Sequence, residues 1–283
     1  MKCNKKTYLN KNKYDGEMNI EGERHGKGTM IFSCGSVYNG LWDKNIISGR
    51  GTYTQSSKLY DPKIYHGIWN SLYNKFIGTV YYLDGTQFFG SISYTSDFTT
   101  MTKEGYGKMI YPDGEQYFGN WENDYMSGKG TYIWADNTKY IGDFKEGKSH
   151  GIGTFISSDY VYTGEWINDK HHGIGKLATN NSLYTGEFEY GYKSGMGHKM
   201  YYSGDEYKGE FKNNYFNGHG IYTWFLLQEK YEGEWLNGNM HGLGKIIYSD
   251  NTVYEGEWDN DISVDTIWSF SEDVHNMIIE LEN

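Results

Sequence analysis

Large aromatic residues recur along this chain in a fixed local pattern. They sit two positions either side of a glycine in a tyrosine-led phrase, with polar residues between. Tyr162-Thr163-Gly164-Glu165-Trp166 shows it most clearly. The two-residue period of a strand puts positions 162, 164 and 166 on one face, and Thr163 and Glu165 on the other. A short polar loop follows at Asn168-Asp169-Lys170, and a return strand begins at His172-Gly173-Ile174-Gly175. A turn at Asn180-Asn181 then leads to Tyr184, where the phrase opens again. Other copies carry Asp84-Gly85, Asp113-Gly114, Asp136-Asn137, Ser203-Gly204 or Asp250-Asn251 at this turn. These residues tolerate the positive φ that tight hairpin turns require, so the pattern predicts successive antiparallel hairpins.

The phrase opens at Tyr14, Tyr38, Tyr65, Phe88, Tyr117, Tyr140, Tyr162, Tyr184, Tyr207, Tyr231 and Tyr254, with Phe88 leading a degraded copy. The intervals run from 22 to 29 residues. Self-similarity with a period of about 20–50 residues marks a repeat array. The fold class expected is all-β: a single-layer antiparallel sheet of stacked β-hairpins, about ten to eleven units over residues 14–270. At about 4.8 Å per strand, ten two-strand units would extend roughly 95 Å. Residues 1–13 hold five lysines and no acid, and read as a basic flexible arm. Ser271-Glu272-Asp273 starts a helix with acids in its first turn, and Val274, Met277, Ile278 and Leu281 follow helical spacing. Residues 271–283 are therefore expected to form a short amphipathic capping helix. Extra residues at 55–63 and 91–103 interrupt the period, and a kink or weak spot is expected near 55–105.

Composition narrows the function. The 38 Gly, 29 Tyr and only 2 Pro fit a folded aromatic sheet rather than a disordered chain. A net charge of −11 argues against nucleic acid, which needs a basic footprint, and against simple docking on acidic lipid. Cys3 and Cys34 form no disulfide framework, and no apolar stretch is long enough to span a bilayer.

Candidate chemistry does not assemble into a catalytic site. His25, His150, His172 and His241 occupy one repeat position, which Ser48, Ser127, Ser194 and Asn217 fill elsewhere. A turn-bonding polar group tolerates that exchange, whereas a metal ligand or catalytic base does not. Glu165, Glu187, Glu210, Glu234 and Glu257 form a stripe facing away from the aromatics, with Asp143 in register. The stripe reads as a solvated face or as a surface for a basic partner. Gly-x-Gly recurs at 173/175 and in seven other copies, but precedes no helix, so a nucleotide loop is not expected. The chain is expected to be no enzyme and to take no cofactor and no metal.

The opening phrase, the His-Gly-x-Gly and the Asp-Gly turn together resemble MORN repeats. Residues 231–244, from Tyr231-Glu232-Gly233-Glu234-Trp235 to His241-Gly242-Leu243-Gly244, are nearly an ideal copy. The resemblance covers residues 14–268. It implies stacked hairpins without catalysis, acting as scaffolds, dimerisation surfaces or peptide-binding grooves, with phospholipid binding a further property proposed for such arrays. The first copy, with Asn19-Ile20-Glu21-Gly22-Glu23-Arg24-His25-Gly26, resembles the first repeat of the MORN-repeat radial-spoke head proteins of motile cilia. That resemblance implies a cytoplasmic, cytoskeletal setting of the axonemal kind.

The partner surface expected from this reading is the aromatic face, accepting a helix or extended peptide. Its anchors would be Tyr140, Phe144, Tyr162, Trp166, Tyr184, Phe188, Tyr207, Phe211, Tyr231, Trp235, Tyr254 and Trp258. A homodimer through open sheet edges is compatible with it. A membrane-associated tether remains the alternative, supported by the Lys-rich arm.

Overall fold

The computed structural model describes residues 3–7, 11–56 and 62–264. They fall into two compact units, Met1–Lys148 and Ser149–Asn283. The first unit carries β1 (Cys3–Thr7), β2 (Lys13–Met18), β3 (Arg24–Ile31), β4 (Val37–Asp43), β5 (Ile46–Thr54), β6 (Lys63–Asn70), β7 (Lys75–Tyr82), β8 (Gln87–Tyr94), β9 (Met101–Ile110), β10 (Gln116–Glu122), β11 (Tyr125–Ile133) and β12 (Lys139–Lys145). The second carries β13 (Lys148–Ile156), β14 (Tyr160–Ile167), β15 (Lys170–Thr179), β16 (Ser182–Glu189), β17 (Tyr192–Tyr201), β18 (Glu206–Lys212), β19 (Tyr215–Trp224), β20 (Glu229–Leu236), β21 (Asn239–Ile247), β22 (Val253–Asp259) and β23 (Ile262–Ser263). Within each unit every strand pairs antiparallel with the next, as the hairpin pattern requires.

Two kinds of turn alternate. The segment read as a polar loop at 168–170 is tighter than that. Asn168 (φ 49°) and Asp169 (φ 65°) are both left-handed and form a two-residue turn, and Lys170 already belongs to β15. Two consecutive positive φ values give the turn whose twist matches the flanking strands, which is why Asn and Asp stand there. The second turn is one residue longer. Gly85 (φ 94°) donates to Tyr82 O, Tyr82 N to Thr86 O, and the Asp84 carboxylate accepts from Thr86 N.

The core of each unit lies on the aromatic face. Tyr162 lies flat across the facing pair Gly164 and Gly175. A Cβ on Gly175 would stand 2.4 Å from the Tyr162 hydroxyl, and one on Gly164 would stand 2.6 Å from Gly175 Cα. Only glycine lets ring and backbone approach so closely. The ring above the pair thus comes from the same copy, not from a neighbouring one. The Tyr162 hydroxyl donates to Glu165 O at 2.9 Å, and Trp166 Nε1 to Gly153 O at 3.1 Å. Trp166 and Phe188 stand edge-on to Tyr162, each with its centroid 5.1 Å away. Tyr38, Tyr117, Tyr184, Tyr207 and Tyr231 are likewise enclosed by their own copy's large ring and the next copy's.

The irregular stretches have physical causes. In the copy opened at Tyr65 the return strand has one glycine where others have two. The β6–β7 register runs without a bulge, and Phe76 takes the place over Gly67 and Gly78. The insertion at 91–103 lengthens the hairpin of β8 and β9. Its tip, 95–100, is tied by the Asp97 carboxylate to Thr95 and Thr99. Phe98 (φ 59°) turns back onto the aromatic face, stacked on Tyr94 at 5.0 Å and Tyr53 at 5.1 Å. The insertion therefore covers core rings of the first unit.

The structure differs from the flexible-arm expectation for residues 1–13. Cys3–Thr7 is a strand registered against β2, from Cys3↔Glu17 to Thr7↔Lys13, because the open edge of β2 offers unpaired backbone groups. The capping helix expected over 271–283 lies outside the described residues. Among the described residues, no helix is long and apolar enough to cross a membrane.

Candidate functional site

Within each unit the described strands present two extended faces, and the register sorts their residues. Paired residues in an antiparallel sheet share a face. Tyr162↔Leu177 and Trp166↔His171 therefore place Leu177 and His171 on the aromatic side, and Ile174↔Glu187 places both of those on the opposite side.

Of the twelve expected anchors, eleven are buried: Tyr140, Phe144, Tyr162, Trp166, Tyr184, Phe188, Tyr207, Phe211, Tyr231, Trp235 and Trp258. Only Tyr254 is half-exposed. This corrects the expectation that these rings would be presented to a partner. They are used in mutual edge-to-face packing over the glycine pairs, and burial pushes the Tyr162 phenol up to about 12. What the aromatic face does present is a second row, resting on those rings. His171 lies parallel to Tyr162 at 3.7 Å, and Phe216 parallel to Tyr207 at 3.8 Å. Lys193 Nζ sits 5.4 Å over Tyr184. Beside them Leu177, Tyr201, Tyr222 and Trp224 are half-exposed on the same face. The sequence signal for this row is position within the return strand, which the tyrosine-led phrase on the other strand of each hairpin does not mark.

The glutamate stripe does lie on the opposite face, and its carboxylates are engaged there. The Glu165 carboxylate accepts from Ile174 N at 2.9 Å, Glu187 from Met196 N at 2.8 Å, and Glu210 from His219 N at 3.0 Å. Gly173, at φ 54°, makes the bulge that brings Ile174 N within reach. Between the glutamates stand Ile152, Ile174, Met196 and Leu243, each more than half exposed. In the second unit a shallow trough of about 580 Å³ follows the outer side of the glycine pairs, edged by Met196, His219, Ile221 and Leu243 and by Lys208 and Glu232.

His25 and His241 are not turn ligands. His25 Nδ1 and His241 Nδ1 lie 3.3 Å from Asp43 and Asp259 on the next strand, within ion-pair reach but out of hydrogen-bond alignment. Among the described residues, no three His, Cys, Asp or Glu gather closely enough to hold a metal ion.

A tyrosine ring over a glycine pair, a glutamate over a bulged glycine and a covering tryptophan recur as one unit, and that unit has a family counterpart. The MORN repeat family matches residues 14–37, 38–58, 102–116, 117–139, 140–160, 162–182, 184–206, 207–225 and 231–253. The chain belongs to the MORN-repeat family. The MORN match leaves out 59–101, where the structure nonetheless continues the same strand pairing through β6, β7 and β8. MORN-repeat proteins are generally structural or binding scaffolds for proteins or membranes. No curated protein matches the sequence. Among solved structures, the TCP10 domain of CPAP from Danio rerio, in complex with a peptide of STIL, aligns over 91% of this chain and 100% of its own at 10% identity, with a TM-score of 0.28. Virginiamycin B lyase from Staphylococcus aureus aligns over 90% of this chain and 83% of its own at 12% identity, with a TM-score of 0.15.

Proposed function

We propose that this MORN-repeat chain is a non-catalytic scaffold that holds a protein partner against the aromatic face of its second unit, within a cytoskeletal complex of the ciliary axoneme. One observation carries the reading of the face. Above a floor of fully buried rings, Tyr201, Tyr222 and Trp224 form a half-exposed aromatic band, with centroids 6.4 Å and 4.8 Å apart. Rigid aromatic side chains held by packing lose little entropy on contact and serve as interface anchors. An extended peptide or helix laid along the face would meet them in succession. The axonemal setting rests on the first-copy string from Asn19 to Gly26 and its likeness to radial-spoke head proteins.

Cross-linking mass spectrometry on the complex purified through a tag on the full chain tests both parts. Cross-links from β17 and β19 to axonemal or cytoskeletal proteins support them. A folded Tyr222→Ser, Trp224→Ser double variant that captures the same partners equally well would sink the aromatic face. Recovery with membranes alone, together with co-sedimentation on anionic vesicles above neutral ones, would favour a tether.

The outer trough supports a second reading. Its exposed Met196 and Leu243 stand beside the Glu232 and Glu255 carboxylates, a pattern suited to a basic amphipathic partner. Cross-links confined to Lys176, Lys208 and Lys245 would favour it.

A further inference from the structure

The aromatic face of the second unit carries two lysines, one of them where every other copy in the unit has an apolar side chain. The pairs Phe188↔Lys193, Gly186↔Gly197 and Tyr184↔Lys199 put both lysines of β17 on that face. At the place of Lys199 the copies in the same unit carry Phe155, Leu177, Tyr222 and Ile246, each paired with the leading tyrosine of a hairpin. At the place of Lys193 they carry Ser149, His171, Phe216 and Met240, none of them charged as a lysine is. His171 lies 5.7 Å from Phe188, the register partner of Lys193.

A comparison within the chain shows what Lys193 lacks. Lys103 occupies the same place in the first unit, over the Phe88 and Trp121 rings. Its ammonium meets the Asp124 carboxylate at 2.8 Å, and the same Asp124 oxygen accepts from Lys103 N. In the copy of Lys193 the turn residue is Asn214, which accepts from Lys193 N in the same way but brings no charge. Among the described residues, no Asp or Glu oxygen lies within ion-pair distance of Lys193 or Lys199.

We propose that Lys193, with Lys199 and His171 beside it, is a carboxylate-binding subsite for an acidic side chain of a partner peptide lying on the aromatic face. The inference rests on the aromatic-face reading above and adds the chemistry that face selects. A partly buried ammonium without a counter-charge is unfavourable, and burial, followed by the charge of Lys199, lowers the Lys193 pKa. A bound carboxylate supplies what Asp124 supplies to Lys103. Over residues 149–264 the chain holds 8 Lys against 16 Asp and Glu, a balance of −8. Such a field disfavours polyanions such as nucleic acid or an anionic bilayer, while a single carboxylate flanked by apolar side chains meets Lys193 locally and Leu177, Tyr201 and Tyr222 around it.

The test is calorimetric titration of the full chain with two 12-residue peptides of alternating Leu and Ser, one with a central Glu and one with Gln in its place. The Glu peptide is expected to bind about 10-fold more tightly, the usual scale for a hydrogen bond to a charged group. The difference should vanish in Lys193→Met, a variant whose packing Met240 already demonstrates at the equivalent place. The His171 pKa, followed by NMR, should rise when the Glu peptide binds and not when the Gln peptide does. Equal affinities, or a Glu preference that survives Lys193→Met, would overturn the subsite. So would inorganic phosphate displacing the Glu peptide at equal concentration. If neither peptide binds while the tagged chain still cross-links partners through β17 and β19, the subsite is wrong and the scaffold reading stands. If those cross-links also fail, both fall.

Discussion

The Glu165 carboxylate lies over Gly173 and accepts a hydrogen bond from Ile174 N at 2.9 Å. Glu165, Glu187 and Glu210 are thus each a clasp on their own hairpin, holding a backbone N–H at the bulge. Glu165→Ala should cost about 0.5–1.5 kcal/mol, the usual net worth of a hydrogen bond whose donor water can reach. Glu165→Leu should cost less in packing, because Leu41 already covers Gly49 in the first unit. Urea denaturation of the full chain checks both. Equal stability of Glu165→Ala and the wild type would show that the clasp contributes nothing.

Trp166 and Phe188 hold the same place in successive hairpins, yet only Trp166 has an N–H, given to Gly153 O. Trp166→Phe should therefore lose roughly 1 kcal/mol, and Trp166→Ala about 3–5 kcal/mol through the cavity it leaves. Thermal unfolding should order the three proteins in that sequence. Because Trp166 is core, loss of partner binding in Trp166→Ala would report unfolding rather than a lost contact.

Gly175 sits beneath the Tyr162 ring, where an added methyl would meet the hydroxyl at 2.4 Å. Gly175→Ala should destabilise by roughly 2–3 kcal/mol, as overpacking does. The Tyr162→Phe, Gly175→Ala double variant should recover part of the loss. Hydrogen exchange at β14 and β15 would locate the damage, and protection equal to wild type would refute the argument.

His171 makes stability depend on pH. Burial, and then the charge of Lys193, lower its pKa from 6.5 to about 4. Between those values the unfolded chain binds a proton that the folded chain excludes, so stability falls as pH drops through this window and is level above it. From pH 7 to pH 4.5 the expected loss is roughly 1–3 kcal/mol relative to His171→Phe, whose packing Phe216 demonstrates. Urea midpoints of the two proteins at both pH values measure it. Parallel pH profiles would show that His171 is not held neutral.

Much of this was legible in the chain. The Tyr-x-Gly-Glu-Trp phrase and its period specify hairpins, their order and which residues share a face, because strand alternation and short turns are local rules. The fate of Tyr162 and Trp166 was not legible. Whether a ring on one face of a single sheet is buried depends on the neighbouring copy's ring, here Phe188, and on how closely Gly164 and Gly175 let it settle. The covering of Tyr53 by Phe98 is likewise invisible in an interval count, since only folding brings residues 53 and 98 together.

The sequence by itself determined the repeat, the sheet and the family, all consequences of contacts between residues near in the chain. The tertiary structure alone decided that the leading aromatics are core, that the glutamates clasp backbone, and that Lys193 faces Tyr184 without the carboxylate Lys103 has. Those facts depend on pairing across strands and on side-chain depth, where a few ångströms separate a buried ring from an anchor and a paired charge from one awaiting a partner.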